Sequence, residues 1–265
     1  MDEMKFRRLV ETSSLKELSA EQKPRRMGRL GQVVEGGGKS LLFAIGNYVN
    51  NRLLHPFHVW GGGEDVSPKM GLLTKHSLLI DWLAVGTLSL DLKSATDRWP
   101  LVFLFEVVQY LFDRSFASSV VNSAFACNIF EVPFVKLKRR FSQVCFVAGQ
   151  PLGYHGSWPT FALSHHILVW WCAKQVHPGV RFTSYAVFGD DVVIADQEVA
   201  KVYESALGGL GVKISYQKSL IPHSGSAEFA KCFRVRESRI KERDLSPRVR
   251  SSFPNVSSFA SLVKS

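Results

Sequence analysis

Cysteine is scarce and scattered in this chain. Its 265 residues include four, Cys127, Cys145, Cys172 and Cys232, and no two form a C-x-x-C pair. That leaves neither a zinc-binding spacing nor a disulfide framework, and a reducing compartment is the expected setting. Long apolar runs are missing as well. Leu101–Phe112 is interrupted by Glu106 and Gln109, and Phe161–Ala173 by Ser164, His165 and His166, so neither reads as a membrane span. The N-terminal residues mix Lys5, Arg7 and Arg8 with Asp2, Glu3 and Glu11, and no apolar segment follows. Neither a secretory signal nor a clear organelle transit peptide is expected. No internal repeat breaks the chain into units. Acidic residues are in deficit, 23 Asp and Glu against 33 Lys and Arg, for a net charge of +10. Such an excess suits a polyanionic partner, nucleic acid ahead of an anionic membrane surface.

What is present reads as a globular chain, 46% hydrophobic and 21% charged, large enough for one or two domains. Basic residues cluster at Lys136, Lys138, Arg139 and Arg140, and again from Arg234 through Arg236, Arg239, Lys241, Arg243 and Arg248 to Arg250. Either cluster suits phosphates or a solvated face. Residues 1–27 read as a charged segment. A glycine-rich loop over 28–40 leads into a strand-like 41–45. Its Gly-Gly-Lys-Ser is not a P-loop, because the first glycine of that motif would fall on Val33 and a strand follows Lys39. Helical spacing covers 44–58 and 101–113, whereas 60–77 has no period.

Leu83–Leu92 reads as a strand carrying Asp91 near its end. The glycine-rich loop 149–156 precedes a helix from Ser157, its expected cap, to about Val176, with Pro159 in the first turn. Thr183–Phe188 and Val192–Ala195 read as two strands of a hairpin. A helix over 197–207, stopped by Gly208, Gly209 and Gly211, and a strand over 212–216 follow. The fold class is α+β, helices against an antiparallel sheet.

Chemistry concentrates at Phe188-Gly189-Asp190-Asp191. Glycine accepts the positive φ of a tight turn, so two adjacent carboxylates would stand at a hairpin tip. Each raises the other's pKa unless a cation intervenes, and hard carboxylate oxygens suit magnesium. A solvated turn is the plain alternative for the triplet alone. Its companions are Asp91 and Asp97 in DLKSATDRWP, the loop GQPLG before a helix bearing His165 and His166, and Lys218 after the next helix.

This order resembles the palm of viral RNA-dependent RNA polymerases. The segments DLKSATDRWP, GQPLGYHGSWPTFALSHH, YAVFGDDVVIAD, LGVKISYQKSLI and AEFAKCF look like those of the mitovirus polymerases, which replicate in mitochondria of fungi and plants. The resemblance runs from about Gly28 to Pro247. It implies Asp91, Asp190 and Asp191 as ligands of two Mg²⁺ ions, with Mn²⁺ as a substitute, activating a primer 3′-hydroxyl on an RNA template. Asp97 then selects the ribose 2′-hydroxyl, and Gly149, Gly153 and Ser157 form the loop where backbone approaches template and incoming nucleotide; helix capping is the alternative role for both Asp97 and Ser157. Lys218 would protonate pyrophosphate or sit as a plain surface lysine. Lys39 falls in the segment that neutralises triphosphate, although Leu41 follows closely where the family has a further basic residue. Lys231 would support the primer strand. His165 and His166 match the family without an assigned role. A reverse-transcriptase palm is disfavoured by Asp97 and by Phe188 before the triplet. Nucleoside triphosphates and RNA are the implied partners, with no obligate protein partner, and mitochondria the implied site.

The implied segmentation is a charged 1–27, partial fingers over 28–80, a palm with motifs A to D over 81–222, a motif E region over 223–247 and a tail over 248–265, with the thumb largely missing. Two stretches break the pattern. Lys69–His76 can be encoded so that another frame reads DGTFNQTQ, a family-like peptide, and a shifted frame after Pro247 likewise gives a family-like continuation. The expectation is a decayed, endogenised copy with frame changes near 60–77 and after 247. It would be a polymerase by ancestry or, alternatively, an inactive remnant acting at most as a basic RNA-binding module.

Overall fold

A computed structural model describes residues 25–34, 40–61, 87–126, 128–133, 143–146, 148–216, 219, 226–229 and 232–235. The expectations for Lys39, Lys218, Lys231, the 62–77 stretch and the 248–265 tail lie outside the described residues. The chain divides into two compact units, each discontinuous in sequence. One draws on residues 1–66, 94–164 and 206–212, the other on 67–93, 165–205 and 213–265.

The first unit contains a four-stranded sheet in which β1 (Arg25–Val34) lies between β2 (Ser40–Gly46) and β4 (Asn128–Glu131), with β5 (Gln143–Cys145) beyond β4. β1 runs antiparallel to β2 and parallel to β4. The glycine-rich stretch from residue 28 was expected to be a loop, and its first part is a strand instead. The reason is close approach: a Cβ at Gly28 would overlap the Ile45 carbonyl, and one at Gly31 would meet the Phe43 ring. Glycine inside a strand marks such places.

Helix α1 (Tyr48–Trp60) begins after β2 rather than at Ala44 and is capped by Asn47, whose side chain accepts the Asn50 N–H at 2.8 Å. Its Phe57 packs in a ring cluster with Trp60, Phe112 and Phe116. Helix α2 (Leu101–Leu111) follows Pro100 and buries Leu101, Leu104 and Val108, the expected helical spacing. Trp99 is fully buried against Phe103 and Phe161, and its indole N–H donates to Ser164 Oγ at 2.8 Å.

The second unit holds the sheet order β6-β7-β3-β8, made of Tyr185–Phe188, Asp191–Ile194, Leu88–Lys93 and Lys213–Ile214. β6 and β7 form the expected hairpin, Phe188 opposite Asp191 and Tyr185 opposite Ile194. β3 lies antiparallel beside β7. A further hairpin, β9 (Ser226–Phe229) with β10 (Cys232–Val235), places Phe229 against Ala186 and Val193. Because strand side chains alternate, Ala186, Ser89 and Val193 share that face with Asp91 and Asp191, while Tyr185, Val187, Leu90 and Val192 line the other.

Helix α3 (Ser157–Val176) and helix α4 (Gln197–Gly209) are the two long helices around this hairpin in sequence. Two details differ from expectation. Ser157 is the first helical residue and not the cap; its Oγ is buried without a hydrogen bond, and the Gly156 carbonyl instead accepts from Thr160 N–H and Oγ1. In α4, Gly208 and Gly209 stay helical, and the chain turns at Gly211, φ +74°. Glycine lowers helix propensity without forbidding helix, so a cap needs the left-handed residue and not glycine alone.

Candidate active site

The hairpin tip is a two-residue turn, Gly189-Asp190, with positive φ (+66°) at glycine only. That sign pattern is the one that puts glycine first in a tight hairpin. It leaves Asp190 exposed at the tip and Asp191 half-buried at the first ladder position.

β3 brings the third acid. Asp91 is the register partner of Asp191, and Leu92 N–H donates to the Asp190 carbonyl at 2.9 Å. Asp91's own backbone turns the other way: its N–H donates to Ser219 Oγ at 3.2 Å, and its carbonyl accepts from Ser215 N–H at 2.8 Å. Asp91 and Asp191 are therefore a non-hydrogen-bonded pair, the class in which opposed Cα atoms stand about 4.5 Å apart and side chains approach most closely. Two carboxylates thus share one sheet face at the shortest cross-strand spacing, with Asp190 next along the chain. Like charges so opposed destabilise a ladder unless a cation lies between them. Among the described residues, no three His, Cys, Asp or Glu side chains are gathered tightly enough to hold a metal ion. The donors are all hard oxygens on two adjacent strands, which fits Mg²⁺ or Mn²⁺ in type.

In the first unit the structure brings together Asp97 and the glycine loop. The helical turn Ala95–Arg98 follows Ser94, which takes a left-handed φ of 53°. Gln150 N–H donates to the Thr96 carbonyl at 2.9 Å, and a Cβ on Gly149, φ +68°, would overlap the Thr96 and Asp97 backbone. Gly153, φ +103°, lies as closely on the Ala44 carbonyl, and Ala44 N–H donates to Leu152 O at 2.6 Å. The loop is thus clasped between β2 and the turn that carries Asp97. Surrounding protein pushes the Asp97 carboxyl pKa up, with Arg98 opposing.

Sequence reasoning missed Gln150. Its buried side chain donates to the Ser157 carbonyl at 2.8 Å, tying the loop to the start of α3. A glutamine between Gly149 and Pro151 was the available signal. His165 and His166, noted without a role, are buried and bonded to tyrosine hydroxyls in the second unit. Ser215 and Ser219, which hold the Asp91 backbone, carry no pattern visible in sequence.

The fold is similar to that of telomerase from Candida albicans, solved with a fragment of telomeric RNA, at a TM-score of 0.56 over 87% of this chain and 46% of that one; at 12% identity the likeness concerns the fold alone. The chain belongs to the mitovirus RNA-dependent RNA polymerase family, whose model it matches over residues 75–247. Over 212 residues it is 31% identical to the RNA-directed RNA polymerase of Cryphonectria parasitica mitovirus 1, covering 77% of this chain and 25% of that protein. Over 134 residues it is 98% identical to an uncharacterised mitochondrial protein of Arabidopsis thaliana, covering 51% of this chain and 66% of that protein. The chain therefore spans only part of the curated relatives it matches. No helix among the described residues is long and apolar enough to cross a membrane.

Proposed function

We propose that the chain carries the palm of a mitochondrial RNA-dependent RNA polymerase that extends a primer on an RNA template from nucleoside triphosphates. The observation that carries this reading is the Asp91–Asp191 ladder pair with Asp190 at the adjoining tip. Mg²⁺, or Mn²⁺ in its place, would be held by Asp91, Asp190 and Asp191, and when bound it supplies a lowered 3′-hydroxyl pKa and charge stabilisation on the triphosphate. Asp97 takes the ribose 2′-hydroxyl as hydrogen-bond acceptor. Gly149 and Gly153 let the loop backbone lie against the Asp97 turn and β2, and the loop so held would border template and nucleotide, with Ser157 at its far end. By the family resemblance Lys218 would supply a proton to the leaving group, Lys39 would neutralise triphosphate and Lys231 would support the primer strand; all three lie outside the described residues. The palm spans 81–222, with finger residues in 28–80 and motif E in 223–247. The mitochondrial setting is supported by the family and by the Arabidopsis relative's description.

The family match begins at residue 75 and stops at 247, beside the two places where the reading frame is expected to change. This supports descent from an endogenised viral gene. Genomic DNA that yields no family-like peptide in the alternative frames there would remove that part of the reading.

A second reading, an RNA-binding remnant without catalysis, is favoured by the chain's net charge of +10. Purified chain, primed RNA and nucleoside triphosphates with Mg²⁺ or Mn²⁺ separate the two. Incorporation that Asp190→Ala abolishes supports the polymerase. Salt-sensitive RNA binding that Asp190→Ala leaves intact, with no incorporation, supports the remnant.

A further inference from the structure

We propose that Asn51 and His58, two turns apart on α1, are positioning residues that latch the end of the 149–156 loop by accepting its last two backbone N–H groups. That the loop serves template and nucleotide rests on the function proposed above; the latch itself does not.

The loop has little means of holding its own shape. Gly149, Gly153 and Gly156 all take positive φ, +68°, +103° and +78°, and glycine has the most conformational freedom to lose on folding. Neighbours fix the loop in turn. Gln150 N–H donates to the Thr96 carbonyl at its start, and the Leu152 carbonyl accepts from Ala44 N–H in its middle. At its end, the N–H groups of His155 and Gly156 find their acceptors on α1. His155 N–H donates to Asn51 Oδ1 at 3.4 Å, and Gly156 N–H to His58 Nδ1 at 3.1 Å. Residues seven apart return to the same helix face, so the two acceptors stand in line. Buried Leu54 lies between them in the helix, and a Cβ at Gly156 would overlap the ring of Phe57. The Gly156 carbonyl accepts from Thr160 N–H and Oγ1 in the first turn of α3. Gly156 is thus held from two sides, by α1 through its N–H and by α3 through its carbonyl.

His58 gives the latch a chemical condition. Nδ1 accepts only from a neutral ring whose proton sits on Nε2. That tautomer leaves no lone pair for a cation, in keeping with the lack of a metal-holding cluster among the described residues. A proton on Nδ1 would set one N–H against another and open the bond to Gly156. Titratable rings meet here from both elements. His155 of the loop lies edge-on to His58, ring centroids 4.8 Å apart, and His55 of α1 lies edge-on to His155 at 5.4 Å. The latch is therefore closed above the range in which imidazoles gain a proton, and it opens as pH falls through that range.

Residue-resolved amide hydrogen exchange on the full chain tests this. Asparagine places its amide oxygen near the position of Nδ1, and glutamine places its amide near that of Nε2. His58→Gln should therefore speed exchange at Gly156 about tenfold, the worth of one modest hydrogen bond, and His58→Asn should leave it near wild type. Asn51→Ala should speed exchange at His155, by less, because that bond is longer. In wild type the protection of Gly156, corrected for intrinsic exchange, should fall as pH is lowered from about 8 to about 5, and in His58→Asn it should stay level. A fall that persists in His58→Asn belongs to His55 or His155 and overturns the assignment. So does an unchanged Gly156 rate in His58→Gln, or a rise shared evenly with β6 and β7. Primer extension then reads the use of the loop: His58→Gln should raise the nucleotide KM several-fold with kcat less changed, and His58→Asn should restore it. Equal KM in all three chains overturns the positioning role. Wild type that incorporates nothing overturns the polymerase reading, while the exchange pattern still decides the latch.

Discussion

Replacing Asp191 with asparagine should make the metal-free chain more stable, although the residue belongs to the proposed catalytic set. Asp191 faces Asp91 in a non-hydrogen-bonded pair on one sheet face, and both are half-buried. Two unit charges about 5 Å apart repel by roughly 1 kcal/mol in water and about 3 kcal/mol at an effective dielectric of 20. Partial exposure favours the lower figure, and measured like-charge pairs across strands also fall near or below about 1 kcal/mol. Asparagine keeps the shape and removes the charge. In EDTA at low salt, urea unfolding should therefore shift to a higher midpoint with unchanged slope, by an amount equivalent to about 1 kcal/mol. Near 1 M salt, where the Debye length falls to about 3 Å, the difference should shrink. Mg²⁺ should reverse the order: at a hundredfold excess over its dissociation constant it stabilises wild type by about 2.7 kcal/mol, and the variant by much less. An Asp191→Asn chain no more stable than wild type in EDTA would refute the opposed-carboxylate geometry. A gain that Mg²⁺ fails to reverse would refute the metal site alone.

Gly149→Ala should cost about 2 kcal/mol or more, since φ is +68° and the added Cβ overlaps the Thr96 and Asp97 backbone; the thermal midpoint should fall, and nucleotide affinity with it. Trp99→Phe removes the indole donor to buried Ser164 and leaves a gap beside Phe161, so a loss of about 2 kcal/mol in urea is expected. His165 gives a pH test. Its folded pKa, about 3, lies below the unfolded value near 6.5, because burial and His166 disfavour the charged ring, with the Gly189 backbone opposing. Its contribution to stability is complete above pH 6.5 and lost as pH falls toward 3, by about 1.4 kcal/mol per pH unit. His165→Gln should flatten that part of the stability profile, and an unchanged acid limb would show that another group titrates there.

The hairpin and α3 were legible in sequence because their signals are local. Gly189 sits between β-branched and aromatic runs, and Pro159 falls in the first turn of an apolar helix, so neither needed a distant partner. β1 was not legible, since Gly28 and Gly31 look like loop residues until Ile45 and Phe43 are known to press on them. Ser157 misled for a related reason: its type suits a cap, but the helix starts one residue earlier than a serine cap requires. At the site, the sequence offered the acids and their order but not their register. That Asp91 stands opposite Asp191, with Leu92 bonded to the Asp190 carbonyl, follows from the two-residue turn and from which backbone groups of β3 face Ser215 and Ser219. His165 and His166 stood out as polar residues in an apolar helix. Their meaning depended on Tyr185 and Tyr203, which lie 19 and 38 residues away.

The acid pair and the sheet that carries it pull in opposite directions, and that contrast separates an enzyme from a remnant without any assay of catalysis. Leu90, Leu92, Val192, Val193 and Ile194 are all buried to 2% exposure or less, so the strands have stability in reserve just where the carboxylates oppose each other. Fully burying each such side chain is worth about 1.5–3 kcal/mol, and together they outweigh the repulsion of one half-buried pair. The fold therefore survives the like charges with no ion bound, and survival by itself says nothing about function. What a remnant lacks is the return on that local cost. Without a competent site, divalent cations act only as screening salt, and Ca²⁺, Mg²⁺ and an ionic-strength match of Na⁺ should shift the wild-type midpoint alike. A competent site discriminates, because Mg²⁺ demands near-octahedral oxygen geometry at about 2.1 Å whereas Ca²⁺ accepts longer, looser ligation. A larger midpoint shift with Mg²⁺ or Mn²⁺ than with matched Na⁺, absent in both Asp91→Asn and Asp191→Asn, would mark the three acids as a working set, and equal shifts in all chains would mark them as surface charge.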